Sequence, residues 1–223
     1  MKEFLDSIEK NRKLGKINYS LRFSQLDEML SNDQKLLVEK ILNLNPKNFG
    51  VKTPYIGLEE VPNRLAILSE QQFKINGQAQ KISDVYIPDQ ILKNFNTMNA
   101  AFQNDYPNRK LLIESAYRSP ASQIITFVYW LYTAYNGDIA KSIRHASPPA
   151  YSQHTSASKT ALDIKNIDGL PSDTQLDEFK NTVEYKWLKK HANSFGFYES
   201  WVEGNKYGMR PEPWHWQYLG INN

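Results

Sequence analysis

The chain contains no cysteine, which excludes disulfide scaffolds, thiolate metal sites and cysteine nucleophiles together. Any metal must therefore be held by His, Asp or Glu. Long apolar runs are also missing: the longest, Ile124 to Tyr135, covers twelve residues, well short of the ~20 that a membrane-spanning helix needs. No transmembrane segment is expected. The first residues, MKEFLDSIEKNRKLGK, have no apolar stretch of the kind that marks a secretory signal. The chain is thus expected either to be cytoplasmic or to follow a signal that has been removed. Charge of one sign is scarce too, since 27 Lys and Arg against 24 Asp and Glu leave only +3, with no basic stripe. Nucleic acid is not an expected partner.

What is present describes a folded protein. Hydrophobic residues make up 40% and charged residues 23% of 223 positions, which excludes disordered and fibrous classes and fits one large domain, or a domain with an appendage. No repeat and no low-complexity tract divides it. Residues 1–45 read as helical, with Leu26, Met29, Leu30, Leu36, Leu37, Ile41 and Leu42 near helical spacing and a cap-type break at Ser31-Asn32-Asp33. From Pro46 to Pro88 frequent Pro, Gly and Asn around short apolar runs predict loops with one or two strands. A helix is predicted over 89–104, a strand in LLIESAYRS, and a buried central helix that opens at Ser119-Pro120 and stops at Asn136-Gly137. Thr160 to Lys165 and Trp214 to Leu219 read as strands, and 177–195 as a helix closed by Gly196. Strands and helices that mix without regular alternation predict an α+β fold: a small antiparallel sheet with helices packed on it and an N-terminal helical extension.

Four histidines are available, and two lie beside carboxylates. His154 stands upstream of Asp163, and His215 follows Glu212 in RPEPWHW. His191, near a helix end, reads as a charge partner of the helix dipole. His145 precedes a loop and reads as structural, or as a residue lining a cleft. Alternation places Ala161, Asp163 and Lys165 on one strand face, with Leu162 and Ile164 on the other. The same rule backs His215 with Trp214, Trp216 and Tyr218. Glu212 and His215, three apart, would point to opposite faces of a regular strand, and a bend at Pro213 would bring both into one pocket. The alternative is that they are only a strand-start pair. Two histidines and one carboxylate meet the ligand count of a catalytic zinc site, which keeps its fourth position open. Glu212 is then the general base of a hydrolase.

These residues resemble the zinc D-alanyl-D-alanine carboxypeptidases of the VanY type, bacterial wall peptidases that share a fold with hedgehog domains. The pattern Ser-x-His-x-x-Gly-x-Ala-x-Asp is met at Ser152, His154, Ala161 and Asp163, Glu-Pro-Trp-His is met at Glu212 to His215, and Tyr117, Arg118, Ser119 and Gln123 match a third element. WLKKHANSFGF resembles the family's Trp-Leu helix leading to Gly-Phe. The likeness spans roughly residues 85–220. It implies zinc held by His154, Asp163 and His215, Glu212 as base, and Arg118 on the substrate or the developing oxyanion, with Tyr117, Gln123, Ser152 and Trp214 as further substrate contacts. The substrate implied is the peptidoglycan stem peptide, and the location the cell envelope, periplasm or exterior. Here the His-to-Asp spacing is nine positions, two more than the pattern, and its glycine is absent. The two extra residues must loop out before the strand; Asp168 is the fallback ligand.

Residues 1–84 carry none of the likeness and read as an accessory segment or lid, with 85–223 as the peptidase domain. Within the family, an L,D-carboxypeptidase or an endopeptidase stands beside the D,D-carboxypeptidase reading. From other classes come a non-catalytic zinc-structured module and a serine peptidase built on Ser156-x-x-Lys159. The latter pattern also occurs at Ser7 to Lys10, and its companion Lys-Thr-Gly is missing.

Overall fold

The computed structural model describes residues 1–171 and 174–221. In chain order the helices and strands are α1 (Lys2–Lys13), α2 (Phe23–Glu28), α3 (Asn32–Leu42), β1 (Ala66–Leu68), β2 (Gln72–Ile75), β3 (Gln78–Lys81), β4 (Val85–Ile87), α4 (Asp89–Asp105) and β5 (Leu111–Ser115). Then follow α5 (Pro120–Thr133), α6 (Ile139–His145), β6 (Ala161–Asn166), α7 (Leu176–Lys180), α8 (Val183–His191), β7 (Phe197–Glu199) and β8 (His215–Tyr218). The fold is α+β with small antiparallel sheets, as the sequence predicts. Among the described residues no helix is long and apolar enough to cross a membrane.

Chain contacts divide the protein into two compact units. The first comprises Met1–Pro62, Arg118–Ser156 and Gly204–Arg210, and is helical around α5. Ser119 caps α5: its hydroxyl accepts from Ser122 N–H at 3.1 Å and donates to Leu21 C=O at 2.6 Å, and Ser119 N–H donates to Tyr19 C=O at 2.7 Å. The turn that starts α5 is thereby tied to the segment between α1 and α2. Ser31 caps α3 with a full capping box through Gln34, at the break the sequence marks. The expectation that α5 is a buried helix needs correction towards its C-terminal end. Tyr129 and Tyr132 are exposed, because the helix buries mainly the residues from Pro120 to Val128 and turns its last aromatics outward.

The second unit comprises Asn63–Tyr117, Ala157–Glu203 and Pro211–Asn223. Its four-stranded antiparallel sheet has the order β5-β6-β8-β7. Alternation along β6 and β8 sends Leu162, Ile164 and Trp216 to one face, where they join Ile113, Phe95, Met98, Phe102, Trp187 and Leu188 in the core. Burying a side chain the size of Trp216 stabilises by roughly 1.5–3 kcal/mol or more. Asp163 and His215 consequently occupy the other face. The edge strand β5 is covered at Ile113 by the side-chain amide of Gln71, which accepts from its N–H at 3.0 Å and donates to its C=O at 2.9 Å.

Two predicted elements differ. Residues 46–88 hold four short strands rather than one or two: β1 pairs with β4, and β2 with β3. The second pair closes at Asn76-Gly77, both at positive φ, the conformation of a two-residue hairpin turn. The predicted helix over 177–195 is two helices and a 3₁₀ turn, Ala192–Phe195. Thr182 breaks it by donating to Phe179 C=O at 2.7 Å and accepting from Tyr185 N–H at 3.2 Å, local bonds that compete with helix continuation. Gly196, at φ +85°, ends the 3₁₀ turn as expected.

Candidate metal and peptide site

The second unit contains Tyr117, Asp163, Glu212, Trp214 and His215. Asp163 and His215 are direct partners in the β6–β8 ladder. Because Ile164 N–H donates to Trp214 C=O, Asp163 and His215 form a non-hydrogen-bonded pair, the antiparallel geometry in which facing side chains lie nearest. Asp163 Oδ1 is 3.0 Å from His215 Nδ1. Two ligands on one zinc ion, with bonds of about 2.0–2.2 Å and near-tetrahedral angles, stand about 3.3 Å apart, so the pair fits a shared cation as well as a direct hydrogen bond.

Glu212 reaches this pair through a turn. His215 N–H donates to Glu212 C=O at 3.0 Å, and Glu212 N–H donates to Trp201 C=O at 2.9 Å. The chain therefore bends across Pro213, and Glu212 Oε2 lies 3.9 Å from His215 Nδ1 in spite of the odd spacing. Trp201 lies flat against the His215 ring, centroids 5.4 Å apart at 22°. Glu212, Trp201 and Trp214 are all buried, and the His215 imidazole sits against the Trp201 indole. Trp201 carries no spacing signal in the sequence; its place follows only from the turn it shares with Glu212. Lys165, on the same strand face as Asp163, donates to Gly169 C=O, Pro171 C=O and the Glu114 carboxylate.

Residues 157–159 form a bend, with Ser158 and Lys159 exposed, and β6 then runs regularly from Ala161. Asp168 is ion-paired to Arg109, which also holds buried Glu184.

The first unit contains Arg118, Gln123, Ser152 and His154. His154 is buried in a 3₁₀ turn, Gln153–Thr155, capped by Ser152, whose hydroxyl accepts from His154 N–H at 3.4 Å. Thr155 Oγ1 lies 2.8 Å from Ser152 C=O and 2.9 Å from Pro149 C=O, tightening the turn. Arg118 N–H donates to His154 C=O at 3.0 Å, so backbone bonding ties the arginine to the histidine. Gln123 is buried in α5, with Nε2 donating to Ser147 C=O at 2.8 Å. Its Oε1 has no hydrogen-bond partner among the described residues. Tyr117, in the second unit, is buried, and its N–H donates to Tyr86 C=O.

The remaining candidates have structural surroundings. His145 lies 3.0 Å from Tyr135 Oη through Nδ1 and 3.4 Å from Arg210 Nη1 through Nε2, with its ring on Trp130. Arginine cannot accept a hydrogen bond, so Nε2 faces it as acceptor and Nδ1–H donates to the tyrosine. His191 ends α8 against Trp187. Ser156 donates its hydroxyl to Glu59 Oε1 at 3.1 Å.

No curated protein matches the chain. Among solved structures, the LdcB LD-carboxypeptidase, described for peptidoglycan recognition, superposes with a TM-score of 0.58 and 24% identity over 79% of this chain and 78% of its own. The D,D-pentapeptidase VanY of a VanB-type vancomycin resistance cassette, solved as a mutant with Zn(II), gives 0.50 and 21% over 77% and 88%. Both share its fold. The family model of VanY, D-alanyl-D-alanine carboxypeptidase, matches residues 84–221, more than half of the chain, and the protein therefore belongs to the VanY carboxypeptidase family.

Proposed function

We propose that the protein is a zinc-dependent carboxypeptidase that releases the terminal D-alanine of peptidoglycan stem peptides in the cell envelope. The observation that carries this reading is the Asp163–His215 pair with the Glu212 carboxylate beside it. The zinc ligands in this reading are Asp163, His215 and His154, side chains that could hold a metal ion; Glu212 is not one of them. The donor set, two imidazoles and one carboxylate, suits zinc with an open position. When bound, zinc supplies a Lewis acid for the scissile carbonyl and makes water nucleophilic near neutral pH.

The protein's own groups do the rest. Glu212 takes the proton of the attacking water and returns it to the departing D-alanine amine, so that water is added across the amide. Glu212 is itself buried, and a carboxylate withdrawn from bulk water interacts more strongly with its neighbours. Arg118 binds the terminal carboxylate, or the oxyanion beside it, through two parallel N–H bonds. Gln123 offers Oε1 to a peptide N–H.

The test is incubation with defined muropeptides followed by mass spectrometry. Loss of one D-alanine from a pentapeptide, abolished by a chelator and indifferent to penicillin, is the expected result. Release only from tetrapeptides moves the assignment to an L,D-carboxypeptidase, and internal cleavage moves it to an endopeptidase. Zinc binding without turnover on any stem peptide leaves a peptide-binding module. Activity that survives the chelator and is stopped by penicillin sinks the metal reading and favours Ser156.

A further inference from the structure

We infer that Glu59, which lies outside the residues matched by the family, is a positioning residue for the turn that carries His154; the inference rests on the zinc reading. The segment from Val51 to Glu59 runs beside that turn and holds it at both ends. At the start, Ile56 N–H and Gly57 N–H both donate to Ala150 C=O, at 2.8 and 3.2 Å, an approach for which Gly57 adopts φ +99°. Next to it the Tyr55 ring meets Tyr151 edge-on, centroids 5.4 Å apart. At the end, buried Ser156 donates to Glu59 Oε1 at 3.1 Å. A hydrogen bond to a carboxylate is among the stronger kinds.

His154 sits between these two anchors. Its own N–H and C=O are fixed by Ser152 and by Arg118. The backbone that aims the imidazole is therefore set from four directions, and Glu59 supplies the one that closes the turn on its C-terminal side. Partners that orient a ligand in this way typically contribute ~10–100-fold to metal affinity. A segment before the residues matched by the family model thus tunes the metal site.

The experiment is zinc affinity of the full chain, measured by competition with a fluorescent chelator, alongside thermal unfolding of the metal-free protein. Glu59→Ala and Ser156→Ala are each expected to weaken zinc binding by about 10–100-fold, with the metal-free protein still folded and its unfolding midpoint lowered by only about 2–6 °C, the cost of one buried hydrogen bond. The double variant should be no weaker than either single one, because both remove the same bond. Glu59→Gln, which keeps an acceptor oxygen, should stay within a few-fold of the parent, and decides the matter if Glu59→Ala does not fold. Affinities of Glu59→Ala and Ser156→Ala equal to the parent, or losses that simply add, overturn the role of Glu59 and leave the zinc reading intact. A parent that binds no zinc, or a His154→Ala variant that binds as tightly, overturns the zinc reading itself.

Discussion

Asp163 Oδ1 and His215 Nδ1 stand 3.0 Å apart across the β6–β8 ladder. The separation suits either a hydrogen bond or two ligands of one ion, and substitution separates these. Asp163→Asn keeps the shape and one hydrogen-bonding oxygen but removes the charge that a cation needs. Zinc per chain, measured after dialysis against metal-free buffer, should fall well below one in Asp163→Asn, and to background in His154→Ala and His215→Ala. Stoichiometric zinc in both histidine variants would show that the ion is held elsewhere.

Glu212→Gln should retain zinc and lose about 10²–10⁴-fold in kcat, the usual contribution of a general base. The turn is held by the backbone of residue 212, through Trp201 C=O and His215 N–H, so the amide should leave it in place. Single-turnover rates on a stem pentapeptide, with metal content measured on the same sample, check this. A metal-loaded variant with a normal rate would assign the proton transfer to another group.

Much of this site was legible in the sequence because strand alternation is a strict rule. It put Asp163 on one face and Leu162 and Ile164 on the other, and the core is arranged that way. Glu212 was only half legible: its spacing from His215 pointed to opposite faces, and the bend at Pro213 could be anticipated but its hydrogen bonds could not. Trp201 and Glu59 were illegible, since each reaches its partner by tertiary contact with no periodicity to announce it. In the fold, α4 was read almost to the residue from its apolar stripe. The β2–β3 hairpin was missed although Asn76-Gly77 is a strong turn signal, because its strands expose nearly every side chain and carry no alternation. The break at Thr182 was missed because a single capping threonine interrupts an otherwise continuous helical pattern.

Arg118→Lys should be costly despite keeping its charge, because lysine cannot offer two parallel N–H donors to a pair of oxygens. A ground-state contact with the peptide carboxylate predicts a rise in KM and weaker discrimination against an amidated peptide. A contact made only with the oxyanion predicts a fall in kcat of the order of 10²–10³. Kinetics on free-acid and amidated forms of one stem peptide decide between the two. Wild-type turnover in folded, zinc-loaded Arg118→Lys and Arg118→Ala would show that the arginine has no part in the reaction.

Ser119→Ala should destabilise the protein by about 1–3 kcal/mol, from the lost helix cap and an unsatisfied buried carbonyl at Leu21. Urea unfolding should show a lower midpoint at unchanged slope. Arg118 precedes this residue directly, so the variant should also show a raised KM if the cap fixes the arginine. A midpoint equal to that of the parent would mean that water replaces both bonds without loss.

The amide of Gln71 stands at the rim of the main sheet like a single rung of an absent fifth strand, filling both hydrogen-bonding positions of Ile113. An open rim invites the backbone of another molecule to add itself, and a peptidase meets extended peptides. With this rung in place, a peptide that reaches the protein finds β5 closed at Ile113 to pairing by its backbone. Gln71 lies before the family-matched residues, so a shortened chain starting at residue 84 would carry the catalytic motifs together with an adhesive edge.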